Sequence, residues 1–450
     1  MHKITAIAFT FLLFFFPALN AQQGPWTLED CITYAMENNI SIKQTELNTQ
    51  YNENLLDQSK ISRLPNLNAG ADYRFGFGRV LDQTSYEFKN SQQNYVGVNI
   101  SSSVNLFNGF QKKNTIEQNQ LNLLASYQDV QKIKNDISLN IAAAYLQILF
   151  SEELLAVAQN QADVTKQQVE RTQKMVDAGK LARGSALEIQ AQYASEELNV
   201  VNTENQLQLA YLNLQQMLDM PYDPAFVVKM PDLPVPGDSL LEINVKEVYD
   251  IAATVMPQVM GSELNLESAQ KDLDIAIGMR YPTLTLSGNT RTDYSDLAPY
   301  PDPLEIGRKY TFAEQMSDNV SVGIGVSLNI PIFNGGQVNT AIANARIGIE
   351  NSKLELQKTK NDLYRSIQQA YADALAALKK FESTEKALIS MEESFKYTEK
   401  KFEVGLVNTV DYNTSKNQLA MTQSELLQAK YDFIFKTKIL NFYKGEPITL

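Results

Sequence analysis

Residues 320–336 read VSVGIGVSLNIPIFNGG, and the reading of this stretch decides the fold. Valine, isoleucine and leucine occupy positions 320, 322, 324, 326, 328 and 330, with Ser, Gly or Asn at every position between. A period of two with one apolar face and one small polar face describes a strand whose two sides meet different solvents. A sheet lying on a protein core would satisfy that pattern. So would a barrel wall with lipid outside and water inside.

The amino terminus bears on the choice. His2 and Lys3 precede the apolar run ITAIAFTFLLFFFPAL, and a small-residue site follows near Ala21. This predicts a secretory signal peptide over 1–21, cleaved before Gln22. A membrane anchor is the alternative, disfavoured because the run is slightly short. No later segment approaches the roughly 20 apolar residues of a spanning helix, so a membrane crossing falls to strands. The one histidine leaves with the signal, and Cys31 is the one cysteine of the chain. No disulfide within the chain, metal cluster or other cofactor is therefore expected, and Cys31 reads as a buried structural thiol. A net charge of −13 argues against nucleic acid. It suits a solvated surface or a water-filled passage that favours cations.

The chain is written twice. Phe107, Asn108 and Gly109 spell FNG, and Phe333, Asn334 and Gly335 repeat it 226 residues on. The same offset carries Ala144-Tyr145 onto Ala370-Tyr371 and Gly179 onto Gly405, while Pro65 maps to Pro282 at an offset of 217. The nine extra residues fall between the two strands of the second half, where insertions sit in surface loops. The pattern predicts a first repeat over 22–219, a Pro-rich linker over 220–243 and a second repeat over 244–450. Each repeat runs helix, strand, strand, long helix, helix. The helices are expected at about 27–63, 109–178 and 185–219, then 244–280, 336–404 and 409–441. The strands are expected at about 66–78 and 94–106, then 283–292 and 319–331.

In the long helices Ile342, Ile349, Leu356, Leu363 and Ala370 form one seven-residue row. A second runs through Ile367, Ala374, Phe381, Leu388, Phe395 and Phe402, and both recur 226 residues earlier. That period means coiled-coil packing, and seventy residues of it reach ~105 Å, which a globular domain does not need. Asp72 and Arg74 alternate against Tyr73, Phe75 and Phe77, as a polar lumen requires. Loop-side aromatics, Tyr86, Phe88, Tyr294, Tyr300 and Tyr310 among them, suit an interfacial girdle or ordinary loops equally. Four strands cannot close a barrel, and open edges cannot lie in lipid, so strands must be pooled between copies. Two copies give eight strands and a filled interior. Three give twelve and a passage, the preferred answer.

Nearly all of the mature chain resembles the TolC-like outer-membrane factors. The resemblance is carried by the doubled element order, both FNG motifs, LPN and YPT before the first strands, and the tip FEVGLVNTVDYNTSKNQL. It implies a mainly α fold with membrane β: two tandem repeats, four strands per chain in a trimeric twelve-strand barrel of a Gram-negative outer membrane, and a long periplasmic α-helical coiled-coil barrel. It further implies a passive conduit for a tripartite efflux pump or type I secretion system, docked by a periplasmic adaptor linked to an inner-membrane pump. Val404, Gly405, Leu406 and Thr409, with Gly179 and Gly184 in the first repeat, are the candidate adaptor-docking tips; a plain helix–helix turn is the alternative. Asp411 matches a carboxylate that narrows the periplasmic end, where three copies on an axis would ring like charges; it also suits a helix dipole. The family's second entrance carboxylate falls on Thr414, and Glu188, the first-repeat counterpart, is a candidate replacement. The positions of a polar latch in the best-known member read Phe402, Ser185 and Val407 here, so the resemblance leaves the manner of closure open.

The competing reading is a structural periplasmic coiled-coil or adaptor protein without a membrane barrel. An enzyme is not expected: no histidine follows processing, and neither a nucleophile elbow nor a Gly-rich phosphate loop is present.

Overall fold

The computed structural model describes residues 24–450 apart from 82–85, 234–236, 238–242, 303 and 306. The expected signal peptide and part of the linker lie outside the described residues. Helix α1 (Leu28–Asn38) opens on a capping box, in which Thr27 Oγ1 accepts from the Asp30 amide and the Asp30 carboxylate accepts from the Thr27 amide. It ends at Asn39, which is extended and whose Oδ1 accepts from the Ser41 and Ile42 amides at the start of α2 (Ile40–Ile61). In the second half α5 (Val245–Val255) and α6 (Pro257–Gly278) are divided by extended Met256, because Pro257 disfavours helix in the residue before it. The single helices expected over 27–63 and 244–280 are thus pairs. A capping side chain makes one break and a proline the other.

The long helices are α3 (Gln111–Asp177) and α4 (Arg183–Met217), then α8 (Gln337–Glu403) and α9 (Thr409–Tyr443). Moved by 217 or 226 residues, both boundaries of α1, α2, α3 and α4 land on those of α5, α6, α8 and α9. One stretch of α3 is apolar enough, by length and composition, for a membrane span, contrary to the sequence expectation. Half of it is buried within the chain. There Ile141, Tyr145, Ile148 and Leu149 pack with Leu28, Leu214, Phe226, Ala374 and Leu440 in the largest core cluster. The Trp26 and Lys229 carbonyls, 3.0 and 2.5 Å from Tyr145 Oη, share its one hydroxyl proton, tying linker and amino terminus to the helices. Cys31 is fully buried in the same core, and burial pushes its thiol up to about 12.

The sheet is antiparallel in the order β1 (Asn66–Leu81), β2 (Phe88–Asn108), β3 (Thr283–Ser295), β4 (Ser321–Asn329). The first three outrun their expected spans. β4 is shorter, with Pro331 just beyond it unable to donate to a ladder. The register aligns faces across all four strands: Ala71 opposite Val98, Val98 opposite Thr292, Thr290 opposite Val322. One face carries Leu67, Tyr73, Phe75, Phe77, Ile100, Val322, Ile324, Val326 and Leu328, all exposed, Ile324 at 81%. The other carries Asp72, Arg74, Asn99, Ser101, Asn289, Arg291 and Ser327. Asp72 and Arg74 pair at 3.0 Å, and Arg291 hydrogen-bonds Tyr95 Oη. Glycines make room on this polar face: a Cβ at Gly97 would stand 2.7 Å from Asp72 Oδ1, and one at Gly323 2.9 Å from Asn289 Oδ1.

Where β3 rises past β4, α7 (Phe312–Asp318) covers the open edge. Buried Gln315 accepts from the Ser295 amide and donates to the Ser295 carbonyl, both at 2.9 Å, so one side chain imitates a strand partner. Asn319 donates to the Asp293 carbonyl at 2.7 Å. The inserted residues also form a cluster of their own, with Arg308 over the Tyr300 ring and Tyr300 edge-on to Tyr310. Tyr300 and Tyr310 therefore belong to this loop, whereas Phe75, Phe77, Tyr86 and Phe88 are exposed.

Candidate functional site

Two turns carry the chain from sheet to helix. Phe107 and Asn108 still belong to β2; Gly109 (φ 63°) and Phe110 (φ 62°) are both left-handed, and α3 begins at the next residue. In the second repeat Asn334 precedes left-handed Gly335 (φ 63°) and Gly336 (φ 83°), and Phe333 is 89% exposed. Gly109 is also needed sterically, since a Cβ there would lie 2.2 Å from the Gly278 carbonyl oxygen.

At the far end each long helix turns back in the same way. Gly405 (φ 76°) donates to the Phe402 carbonyl and Leu406 to that of Lys401. Gly179 (φ 69°) donates to Val176 and Lys180 to Met175. Both are Schellman caps, which need a residue without Cβ strain at the left-handed position. Gly184 is not part of the break; it lies in the first turn of α4. Asn408 caps α9, its Oδ1 accepting from the Asp411 amide at 2.8 Å, which sets exposed Asp411 in the positive first turn. Val404, Leu406 and Val410 are exposed, whereas Thr409 is buried.

The two tips face a shared cleft of about 960 Å³. Its lining brings together Ser185 and Glu188 of the first hairpin with Phe402, Val407 and Thr409 of the second, and includes that hairpin's turn, Val404 to Leu406. Gly179, Gly184 and Asp411 are not among the lining residues. Phe402 stacks on Tyr412 with ring centroids 4.6 Å apart, and burial raises the Tyr412 phenol to about 12. Thr414 Oγ1 donates to the Val410 carbonyl of its own helix. Arg171 meets Glu403 at 2.8 Å across the repeats, half exposed on both sides and so worth ~0–1 kcal/mol.

About two turns up α9 lies a group that sequence reasoning missed. Lys416 is 2% exposed, at a seam position where α9 otherwise buries Thr409, Tyr412 and Leu419. Its Nζ donates to the Gln161 carbonyl at 2.9 Å, to Thr165 Oγ1, and to Glu196 at 3.2 Å. Glu196 also accepts from Thr165 and from Gln192 Nε2 at 2.8 Å, and Gln192 donates to Asn417 Oδ1 at 3.0 Å. Burial pulls the Lys416 ammonium below its ordinary value, and Glu196 opposes that shift. The available signal was a lysine in an apolar seam.

A family profile described as "Outer membrane efflux protein" matches residues 31–219 and 248–435, once in each repeat. This chain belongs to the outer membrane efflux protein family. It is thus an outer-membrane protein of a Gram-negative bacterium and a transport component, which sets aside a periplasmic coiled-coil protein without a barrel. Among relatives of this outer membrane efflux protein, "Outer membrane protein TolC" of Escherichia coli (strain K12) is 22% identical over 386 residues, 84% of this chain and 74% of that one. "Alkaline protease secretion protein AprF" of Pseudomonas aeruginosa is 20% identical over 315 residues, 69% of this chain and 61% of that one. The solved structure of the outer membrane protein VceC from Vibrio cholerae has the same fold, with a TM-score of 0.76 at 16% identity over 94% of this chain and 96% of that one.

Proposed function

We propose that three copies of this chain form a channel-tunnel, a passive conduit through which a separate pump expels its cargo across periplasm and outer membrane. The observation that carries it is the four-stranded sheet with one apolar and one polar face and two unpaired edges. The exposed apolar side chains fit acyl chains, and the polar face fits an aqueous bore. The edges must pair in lipid, and the internal repeat says how. Within the chain β2 pairs with β3, Ser101 opposite Asn289. Moved by the repeat offsets, that pair becomes Ser327 on β4 opposite Asp72 on β1 of a neighbouring copy. The same shift sets Val326 against Tyr73 and Ile324 against Phe75, so apolar still meets apolar. Three copies give twelve strands with an open interior, which two would not.

Helices α3 and α8, each of 67 residues, reach ~100 Å, a length suited to spanning the periplasm. The exposed apolar tip at Val404, Leu406 and Val410, with Gly405 making its turn and Thr409 buried behind it, suits docking of a periplasmic adaptor coupled to an inner-membrane pump; the Gly179 tip is its first-repeat counterpart. Asp411, exposed in the first turn of α9, is the carboxylate we assign to a constriction on the three-fold axis, with Glu188 on the cleft wall as a second charge. A relative named for alkaline protease secretion supports type I secretion beside efflux as the range of use. Protein extracted from outer membranes should migrate as a heat-modifiable trimer and give single-channel currents in planar bilayers. A monodisperse monomer, soluble without detergent, would refute the proposal.

A further inference from the structure

We infer that the buried Glu196–Lys416 pair is a clamp between the two hairpins that sets how far the channel's periplasmic entrance opens. The inference rests on the channel reading above and adds to it a means of closure, since the three latch positions read Phe402, Ser185 and Val407. The pair joins α4 to α9, and α3 closes the network through Gln161 and Thr165. Every polar group is satisfied. Lys416 spends its three protons on Gln161, Thr165 and Glu196, while each Glu196 oxygen accepts from Lys416 and from one further donor, Gln192 or Thr165. A buried ion pair holds its geometry firmly because separating it leaves each charge stranded in a poor solvent. Widening the entrance by moving the second hairpin away from the first does that.

The repeat argues that the pair is more than packing. The positions related to Lys416, Glu196 and Thr165 by the 226-residue offset are Gln190, Thr422 and Met391. Those positions hold neither a lysine nor a glutamate, so the ion pair is written into one arrangement of the repeat and not into its counterpart. It sits a few turns inside the tip, where hairpin displacement is convertible into aperture. Glu196 and Lys416 are positioning residues here; neither needs to touch the cargo.

The test is single-channel conductance of purified trimers in planar bilayers. Glu196→Gln and Lys416→Met should each raise conductance several-fold. In the Glu196→Gln background, Gln192→Cys with Asn417→Cys, bridged by a short bis-methanethiosulfonate, should bring it below the native level, since a covalent link yields less than an ion pair, and reductant should release it. Pairs that serve stability alone would lower the melting temperature of the trimer and leave conductance native, which overturns the clamp. Where a single variant fails to assemble, the same bridge is placed in the otherwise native chain. Current should then fall and recover with reductant; a bridged channel that conducts as before overturns the clamp. If the native protein forms no channel, both readings fall, whereas native channels with unaltered variants sink the clamp alone.

Discussion

At Gly405 the chain reverses from α8 into α9 with φ at 76°, and no atom lies within 4 Å of where a Cβ would be. The constraint there is conformational, not steric. Gly405→Ala should cost about 1–2 kcal/mol through the left-handed backbone alone. Gly184→Ala, inside a helical turn with open space around it, should be neutral or stabilise by up to ~1 kcal/mol. Thermal denaturation of the two variants side by side checks the contrast; equal losses would show that the turn does not lie where the structure puts it. Cys31 makes a second test. Its thiol binds its proton more tightly folded than unfolded, so its contribution to stability is full below the free value of 9.0 and is lost as pH rises towards about 12. At pH 8 a maleimide should label it only after denaturation. Rapid labelling of the native protein would contradict its burial.

Among the elements, the two short breaks show what side-chain chemistry adds to periodicity. Asn39→Ala removes the cap of α2 and the 3.2 Å bond from Asn39 Nδ2 to the Met217 carbonyl, and should cost about 1–2 kcal/mol in denaturant titration. A loss too small to measure would mean that the break is held by packing alone. The apolar pattern runs through both breaks, and for that reason periodicity read single helices at 27–63 and 244–280. Pro257 was a visible warning; Asn39, flanked by Asn38 and Ile40, was not. The strands were legible from alternation at their centres and not at their ends, where Phe88 to Gln93 lengthen β2 through pairing with β1. Helix α7 was illegible, because its reason to exist is the uncovered edge of β3. Gln315→Leu should free that edge, and limited proteolysis should then cut between residues 296 and 320 while the barrel stays intact. Unchanged resistance would deny Gln315 its part.

For the whole molecule, the test of assembly is the register between copies. Ser327→Cys with Asp72→Cys in one chain should give thiol-linked ladders ending at three chains. Cross-linking confined within a chain, or ladders that do not end at three, would refute the arrangement. That scale was the most legible one, since the doubled FNG, the seven-residue rows and the alternating strands each survive without knowledge of packing. The entrance was less so. Its turns followed from glycine; its cleft gathers Ser185, Phe402 and Val407, three positions that the resemblance had singled out as departures. Lys416 was hidden because a lysine on a long helix reads as solvated until the seam around it is known.

The close approach of Gly109 and Gly278 reaches further than the turn it serves. A Cβ on Gly278 would come within 2.6 Å of the Gly109 carbonyl oxygen, and the residue 217 positions earlier is Ile61. The two halves have therefore diverged into parts that are no longer interchangeable. A chain built from the first half twice over would drive isoleucine into backbone at every seam. Duplication thereby left a steric mark: the second half tolerates only glycine at a place where the first carries a branched side chain.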